Sequence, residues 1–387
     1  MLQAREARGL TQAALACMTH KSPPTISKWE SGAQTPEAPA LASLAAALQV
    51  PEQFLLRPVA DTGDSPYFFR SNQAITREAQ TIARSRLNWL NEISIALQDW
   101  IDWPGVMVPR LGNGDYRRLT DADIEEFAAQ CRRQWQLGSG PIENVVLALE
   151  NAGIICVREE LGYDRMDGVS KWFANDNRPY VFLSADKANG MRSRFDAAHE
   201  LAHLVIHWAV PTIDYTRQPE LERQAHLFAG AFLMPGETFA AEVASPSLDT
   251  FLTLKPRWKV SVAAMIVRCR QLEIIDEAYS VRLWKNYSAR GWRRGEPLDD
   301  LQPFEAMRLL PRAVRMITEA TQLSRAALLE RLGFLGGDAA SLCSLEEGYF
   351  DAPAPVAKLE PVVRLRQEAG AAVRPAKVIP FPAKAGA

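Results

Sequence analysis

The chain has 387 residues, more than one small hydrophobic core organises, so two or three domains are expected. With 47% apolar residues, 23% charged residues and a formal net charge of -2, the composition is that of a soluble globular protein with no overall bias towards nucleic acid. No apolar run reaches the roughly 18–20 residues of a membrane span and no signal peptide opens the sequence, which points to a cytoplasmic protein without membrane contact.

The five cysteines (Cys17, Cys131, Cys156, Cys269 and Cys343) are isolated, with no C-x-x-C. They read as buried thiols in a reducing compartment rather than as disulfides or zinc ligands. Charge is uneven along the chain. The first 35 residues carry Arg5, Arg8, Lys21 and Lys28 against Glu6 and Glu30, which suits a small module close to phosphate.

The N-terminal segment reads as a run of short helices. Leu10, Ala14 and Leu15 have helical spacing behind a Thr11 cap. Ser22 then caps a second run whose prolines suit a first turn, and Gly32 stops it. An apolar helix follows from about Leu41 to Leu48, with a short turn around Phe54. Pro58–Pro66 (PVADTGDSP) is the clearest linker.

Helical periodicity returns from Thr76 to Trp103 through Leu87, Leu90, Ile93, Ile95 and Leu97, until WPGVMVP breaks it. Helices are expected from near Asp121 to Gln136 and from Ile142 to Asn151. A strand-rich stretch follows: GIICVREE, then DGVSKWFANDNRPYVFLS, with NDN as a turn. Further helices are expected around Val260–Leu272 and Phe304–Leu332. Strands gathered ahead of helices argue for an α+β fold. The end of the chain is rich in Pro and Ala and reads as disordered.

The helix after the strands, FDAAHELAHLVIH, holds three of the five histidines. At 3.6 residues per turn His199 and His203 share a face, and Glu200 lies beside them in the pattern H-E-x-x-H. Two imidazoles at that spacing converge on one tetrahedral metal, with the adjacent carboxylate placed to act as a base on water.

A third ligand has four candidates: His207, His226, Glu222 and Glu237. His207 falls about 6 Å further along the helix axis, too far to share the ion, and reads as a polar contact near the helix end. Glu222 and His226 share one face of the run LERQAHLFAGAFLMP. A second helix packed across the first would present Glu222 to the metal, with His226 one turn on in a supporting or transition-state role.

RFDAAHELAHLVIH followed by ERQAHLFAGAFLMP resembles the ImmA/IrrE family of zinc metallopeptidases, whose pattern is R-F-x-x-A-H-E-x-x-H and then E-x-x-A-N-x-F-A-x-x-L-L-M-P. DGVSKW, RPYVFLS, SVAAMIVRCRQL and GWRRGEP extend the resemblance over roughly Phe69 to Pro297. It implies that His199, His203 and Glu222 hold Zn2+ and that Glu200 is the general base of peptide hydrolysis. The family's Asn is His226 here. His226 and Tyr180 are the side chains considered for stabilising an oxyanion.

Residues 2 to 56 resemble the Cro/C1-type (XRE) helix-turn-helix family through ARGLTQAALA, TISKWESG and LASLAAALQVPEQFLL. The resemblance implies a recognition helix from Pro23 to about Trp29. Gln12 is then placed for a phosphate or first-base contact, and Thr25, Ser27 and Lys28 are the polar DNA-facing side chains. Ile26 and Trp29 are assigned to the core, and Arg5 and Glu30 to an internal ion pair. Pro23 and Pro24 stand where long polar side chains usually read bases and offer only apolar contact.

The expected architecture is therefore an all-α five-helix domain at 1–57, a linker at 58–66 and a helical connector at 67–120. A zincin-like metallopeptidase domain with a small sheet spans 121–300, followed by a helical region at 301–370 and a disordered tail at 371–387. The expected function is a DNA-binding regulator, dimeric on its operator, whose zinc endopeptidase cuts an XRE-type repressor or the chain itself on a signal. The alternatives are a non-proteolytic transcription factor whose body senses a ligand or metal, and a toxin–antitoxin component.

Overall fold

The computed structural model describes residues 1–70, 76–112, 115–163, 166–187, 189–211 and 218–351. The tail expected at 371–387, and the end of the helical region before it, lie outside these residues. Met1–Asp351 form one compact unit.

Five short helices open the chain: α1 (Leu2–Ala7), α2 (Gln12–Met18), α3 (Pro23–Glu30), α4 (Ala38–Leu48) and α5 (Glu52–Leu55). Thr11 caps α2 by accepting from the Ala14 amide, and Ser22 caps α3 by accepting from the Thr25 amide. The prolines of α3 sit in its first turn, where a missing N–H costs nothing.

Strand β1 (Phe68–Arg70) and the long helix α6 (Arg77–Leu97) follow, then α7 (Asp121–Gln134) and α8 (Val145–Asn151). Strands β2 (Ile155–Glu159), β3 (Gly168–Phe173) and β4 (Arg178–Ser184) precede α9 (Gly190–Ile206) and α10 (Gln218–Leu233). The chain continues through α11 (Gly236–Glu242), α12 (Leu248–Trp258), α13 (Val262–Gln271), α14 (Glu277–Ala289), α15 (Leu309–Ala320), α16 (Arg325–Leu332) and α17 (Gly336–Leu342). The Phe304–Leu332 expectation resolves into two helices, because Thr321 leaves α15 in an extended conformation and Ser324 caps a new start.

The sheet has the order β1-β3-β4-β2, with β2 and β4 parallel and the other pairs antiparallel. Side chains alternate between its two faces. Cys156, Trp172, Val181 and Leu183 join the core built on α7 to α10 and α13. Ile155, Val157, Val169, Phe173 and Phe182 join a second core shared by α6, α15 to α17 and the N-terminal helices. The sheet is thus the middle layer between two helical layers.

Within the second core Phe54, Trp89 and Phe334 meet edge to face at 5.4–5.5 Å. One residue of that cluster comes from α5, one from α6 and one from the segment after α16. Arg57 adds to it by donating to the carbonyls of Leu332 and Gly333. The segment Pro58–Pro66, read as a linker, lies against the sheet. Gly63 has φ +71°, and a Cβ there would meet the Ala174 Cβ at 2.5 Å, so only glycine fits. The buried Lys171 ammonium donates to the carbonyls of Gly63 and Ser65.

Candidate metal centre and DNA-binding face

Helix α9 is held at its start by Asn189, which accepts from the Arg192 amide at 2.9 Å. One turn later the buried Arg194 guanidinium pairs with Glu305 and donates to Ile142 O at 2.6 Å. Glu305 in turn accepts from the amides of Val145 and Val146 at the start of α8. Ala197, Ala198, Leu201, Leu204 and Val205 are fully buried. Each of the larger three contributes about 1.5–3 kcal/mol of burial. In a helix so enclosed, the imidazoles of His199 and His203 and the carboxylate of Glu200, all within 1% of complete burial, need polar partners.

Helix α10 packs across α9 and supplies Glu222. His203 Nε2 lies 3.1 Å from His199 Nε2, and Glu222 Oε2 lies 3.3 Å from the same atom. Glu222 Oε1 is 3.8 Å from His203 Nε2. The donors of a tetrahedral zinc, each about 2.0–2.1 Å from the ion, stand about 3.3 Å from one another. Two neutral imidazole nitrogens and one carboxylate at these separations fit such an ion. Of the other third-ligand candidates, Glu237 is exposed in the first turn of α11.

His226 is also close. Its Nδ1 donates to Glu222 O at 2.7 Å, and its ring meets the edge of His199 at 4.7 Å between centroids. Ligand atoms of His199, Glu222 and His226 all lie within 4.8 Å of one another. A cavity of about 350 Å³ opens beside it, lined by Asn189, Arg192, Phe195, His226, Trp284 and Trp292. That volume is at the small end for a ligand pocket and takes a side chain rather than a folded partner.

Glu200 points to the sheet. Its Oε2 accepts from the Ser170 hydroxyl at 2.6 Å, and Gly168 leaves room for it, since a Cβ there would come within 3.0 Å of Oε1. Sequence reasoning missed Ser170. Its signal was its place on a strand where Trp172, two residues on, faces the same helix through an indole bond to Leu204 O.

His207 ends α9 and makes polar contacts there, as the sequence suggested, and adds a link to His203 that spacing did not show. It is fully buried, and its Nδ1 lies 2.9 Å from His203 Nδ1. Its Nε2 meets Gln224 Oε1 at 2.9 Å. Burial pushes His207 down to about 4, against the opposing hydrogen bond of Gln224 and the charge of Glu220, so it is neutral near pH 7. Phe68, on β1, stacks on His203 with centroids 4.7 Å apart and planes 5° apart. Tyr180 lies away from this centre. Its hydroxyl donates to Asp176 Oδ2 at 2.6 Å and its ring belongs to the core on the other face of the sheet, so it is no oxyanion partner.

In the N-terminal helices, Ser27 and Lys28 are exposed and Thr25 is half-buried, its hydroxyl 2.8 Å from Ser22 Oγ. Ile26 is fully buried and Trp29 half-buried. Arg5 pairs with Glu30 through two bonds of 2.6 and 3.1 Å. Gln12 Nε2 donates to Glu30 Oε2 at 2.7 Å, so its amide is engaged by the ion pair. Pro23 and Pro24 are exposed at the start of the helix.

Residues 149–270 match the peptidase-family model described as an IrrE N-terminal-like domain, and residues 1–55 match a helix-turn-helix model. No curated protein matches the chain. Among the described residues no helix is long and apolar enough to cross a membrane.

Proposed function

We propose that this chain, which joins an XRE-type helix-turn-helix domain to an IrrE N-terminal-like peptidase-family domain in the manner of ImmA/IrrE fusions, is a transcriptional regulator with zinc-dependent endopeptidase activity. The observation that carries the reading is the convergence of His199, His203 and Glu222 at tetrahedral-donor spacing, with Glu200 alongside. Binding alone has no use for a buried carboxylate that is not itself a ligand.

Zinc held by His199, His203 and Glu222 would supply Lewis-acid polarisation of a peptide carbonyl and acidify water. Glu200 takes the proton from the attacking water and returns it to the leaving amine. Ser170 orients Glu200 through its hydroxyl. His226 Nδ1 donates to Glu222 O, so in the neutral imidazole Nε2 carries a lone pair that can accept or ligate, whereas stabilising developing negative charge would require the imidazolium, with both nitrogens donating. The cavity beside His226 accommodates a substrate side chain. The substrate is a repressor-type protein, with Pro58–Pro66 of this chain as the self-cleavage alternative.

Glu200→Gln tests the reading. Loss of repressor cleavage and of the transcriptional response, with zinc retained, supports proteolysis. An unchanged response would sink it in favour of a sensor that works without hydrolysis. That second reading draws on the docking of the DNA-binding helices against α6 and the segment after α16, which ties operator binding to the state of the body.

A further inference from the structure

The geometry points to a role for His207 and Gln224 that rests on the metal reading above: they are positioning residues that set which nitrogen of His203 carries its proton. Gln224 Nε2 donates to Tyr116 O at 2.9 Å and to Glu220 Oε1 at 3.0 Å. Both partners only accept, so the amide orientation is fixed and Gln224 Oε1 faces His207. An amide oxygen cannot donate, so the His207 Nε2 atom at 2.9 Å carries a hydrogen.

A neutral imidazole with its hydrogen on Nε2 has a lone pair on Nδ1. That lone pair faces His203 Nδ1 at 2.9 Å, so His203 donates from Nδ1. His203 Nε2 is then left with the lone pair directed at His199 and Glu222, which is the state a metal requires. The opposite arrangement would set the His207 Nε2 lone pair against Gln224 Oε1. It would also place a hydrogen on His203 Nε2, where the ion is to bind.

Ring packing holds the relay in place. Phe68 stacks flat on His203, and Tyr116 meets His207 edge-on at 5.7 Å and 89°. Gln224 thus acts on the metal centre across two rings without touching it. It comes from α10, the helix that also supplies Glu222, so one helix provides both a ligand and the orientation of another.

Long-range 1H–15N spectra of the metal-free protein read the tautomers directly, and chelator competition reads zinc affinity. Wild type is expected to show His203 protonated on Nδ1. His207→Leu removes the acceptor and Gln224→Met removes the amide at similar size. Each is expected to shift His203 towards the Nε2-protonated form and to weaken zinc binding about 10–100-fold. His207→Gln keeps an acceptor and is expected to stay within about threefold of wild type. Circular dichroism confirms that each variant is folded, and Gln224→Met stands in should His207→Leu unfold. Wild-type His203 protonated on Nε2, or zinc affinity unchanged in both disrupting variants, overturns the inference. A wild type with the expected tautomer that takes up no zinc upholds the relay and overturns the metal reading alone.

Discussion

Arg8, in the turn after the first helix, and Asp338, 330 residues further along, form a two-pronged ion pair with contacts of 3.0 and 2.5 Å. Asp338 also accepts from Arg86 at 2.5 Å. Arg86 pairs on its other side with Glu159 at the end of β2, and Ser341 donates to the same carboxylate. Both guanidinium groups lie over the Trp89 ring, at 5.2 and 5.3 Å. Burial tends to raise the Asp338 carboxyl, but the bonds and charges of Arg8 and Arg86 outweigh it and hold the group below its ordinary range. Its stabilising contribution is present above that range and is lost as pH falls through the folded value. Asp338→Ala leaves two largely buried guanidinium groups short of a partner and is expected to cost about 3 kcal/mol, read by urea denaturation.

Glu222→Ala is expected to remove zinc from the purified protein while Glu200→Gln keeps it near one ion per chain. Metal analysis of the two variants side by side checks the ligand set. Zinc retained in Glu222→Ala would transfer the third position to His226, which offers a ligand atom within 4.8 Å of those of His199 and Glu222.

Gly168→Ala tests the space around the base. The new methyl meets Glu200 Oε1 at 3.0 Å and Phe182 O at 3.1 Å, so the carboxylate must shift. A shift of a few tenths of an ångström is expected to lower cleavage about 10-fold with zinc content unchanged. Equal activity in Gly168→Ala and wild type would show that Glu200 tolerates displacement.

Glu150 gives the fold a pH dependence of its own. Its carboxylate accepts from the amides of Arg308 and Leu309 at the start of α15, yet burial outweighs those bonds and pushes it up to about 7 from 4.5. The folded state therefore binds the proton more tightly, and stability falls as pH rises from about 4.5 to 7 before levelling. The full effect is at most about 3 kcal/mol. Denaturation between pH 5 and 8 is expected to show this slope in wild type and to lose most of it in Glu150→Gln.

Lys28 is exposed on α3. Lys28→Ala is expected to weaken binding across operator sequences alike and to reduce the slope of log K against log salt by about one. Ser27→Ala should instead alter preference between operators. A Lys28 variant with an unchanged salt slope would remove α3 from the DNA face.

The convergence of His199, His203 and Glu222 was legible in the sequence because H-E-x-x-H and E-x-x-x-H write helical geometry directly into residue spacing. The three longer strands were legible because each is bounded by turn residues. The short strand β1 was not, since three residues carry no periodicity and its pairing partner, Val169 opposite Phe69, lies a hundred residues away. The contact between His207 and His203 was not legible, for a definite reason. Helix rise places His207 one turn past His203, but says nothing about two rings meeting nitrogen to nitrogen. Gln224 was hidden because its partners, Tyr116 O and the His207 ring, come from distant segments. Helices α12 and α14 escaped notice because their buried positions are few and separated by charge.

The cluster of Phe54, Trp89 and Phe334, together with the Arg8–Asp338 pair, changes what a cut within Pro58–Pro66 would accomplish. Severing the peptide there would break one covalent path while the aromatic cluster and the ion pairs still hold the two fragments. The product would be a nicked molecule that migrates as two pieces on a denaturing gel and as one in native buffer. Release from an operator would then depend on how fast the fragments part, turning a chemical event into a timer set by dissociation.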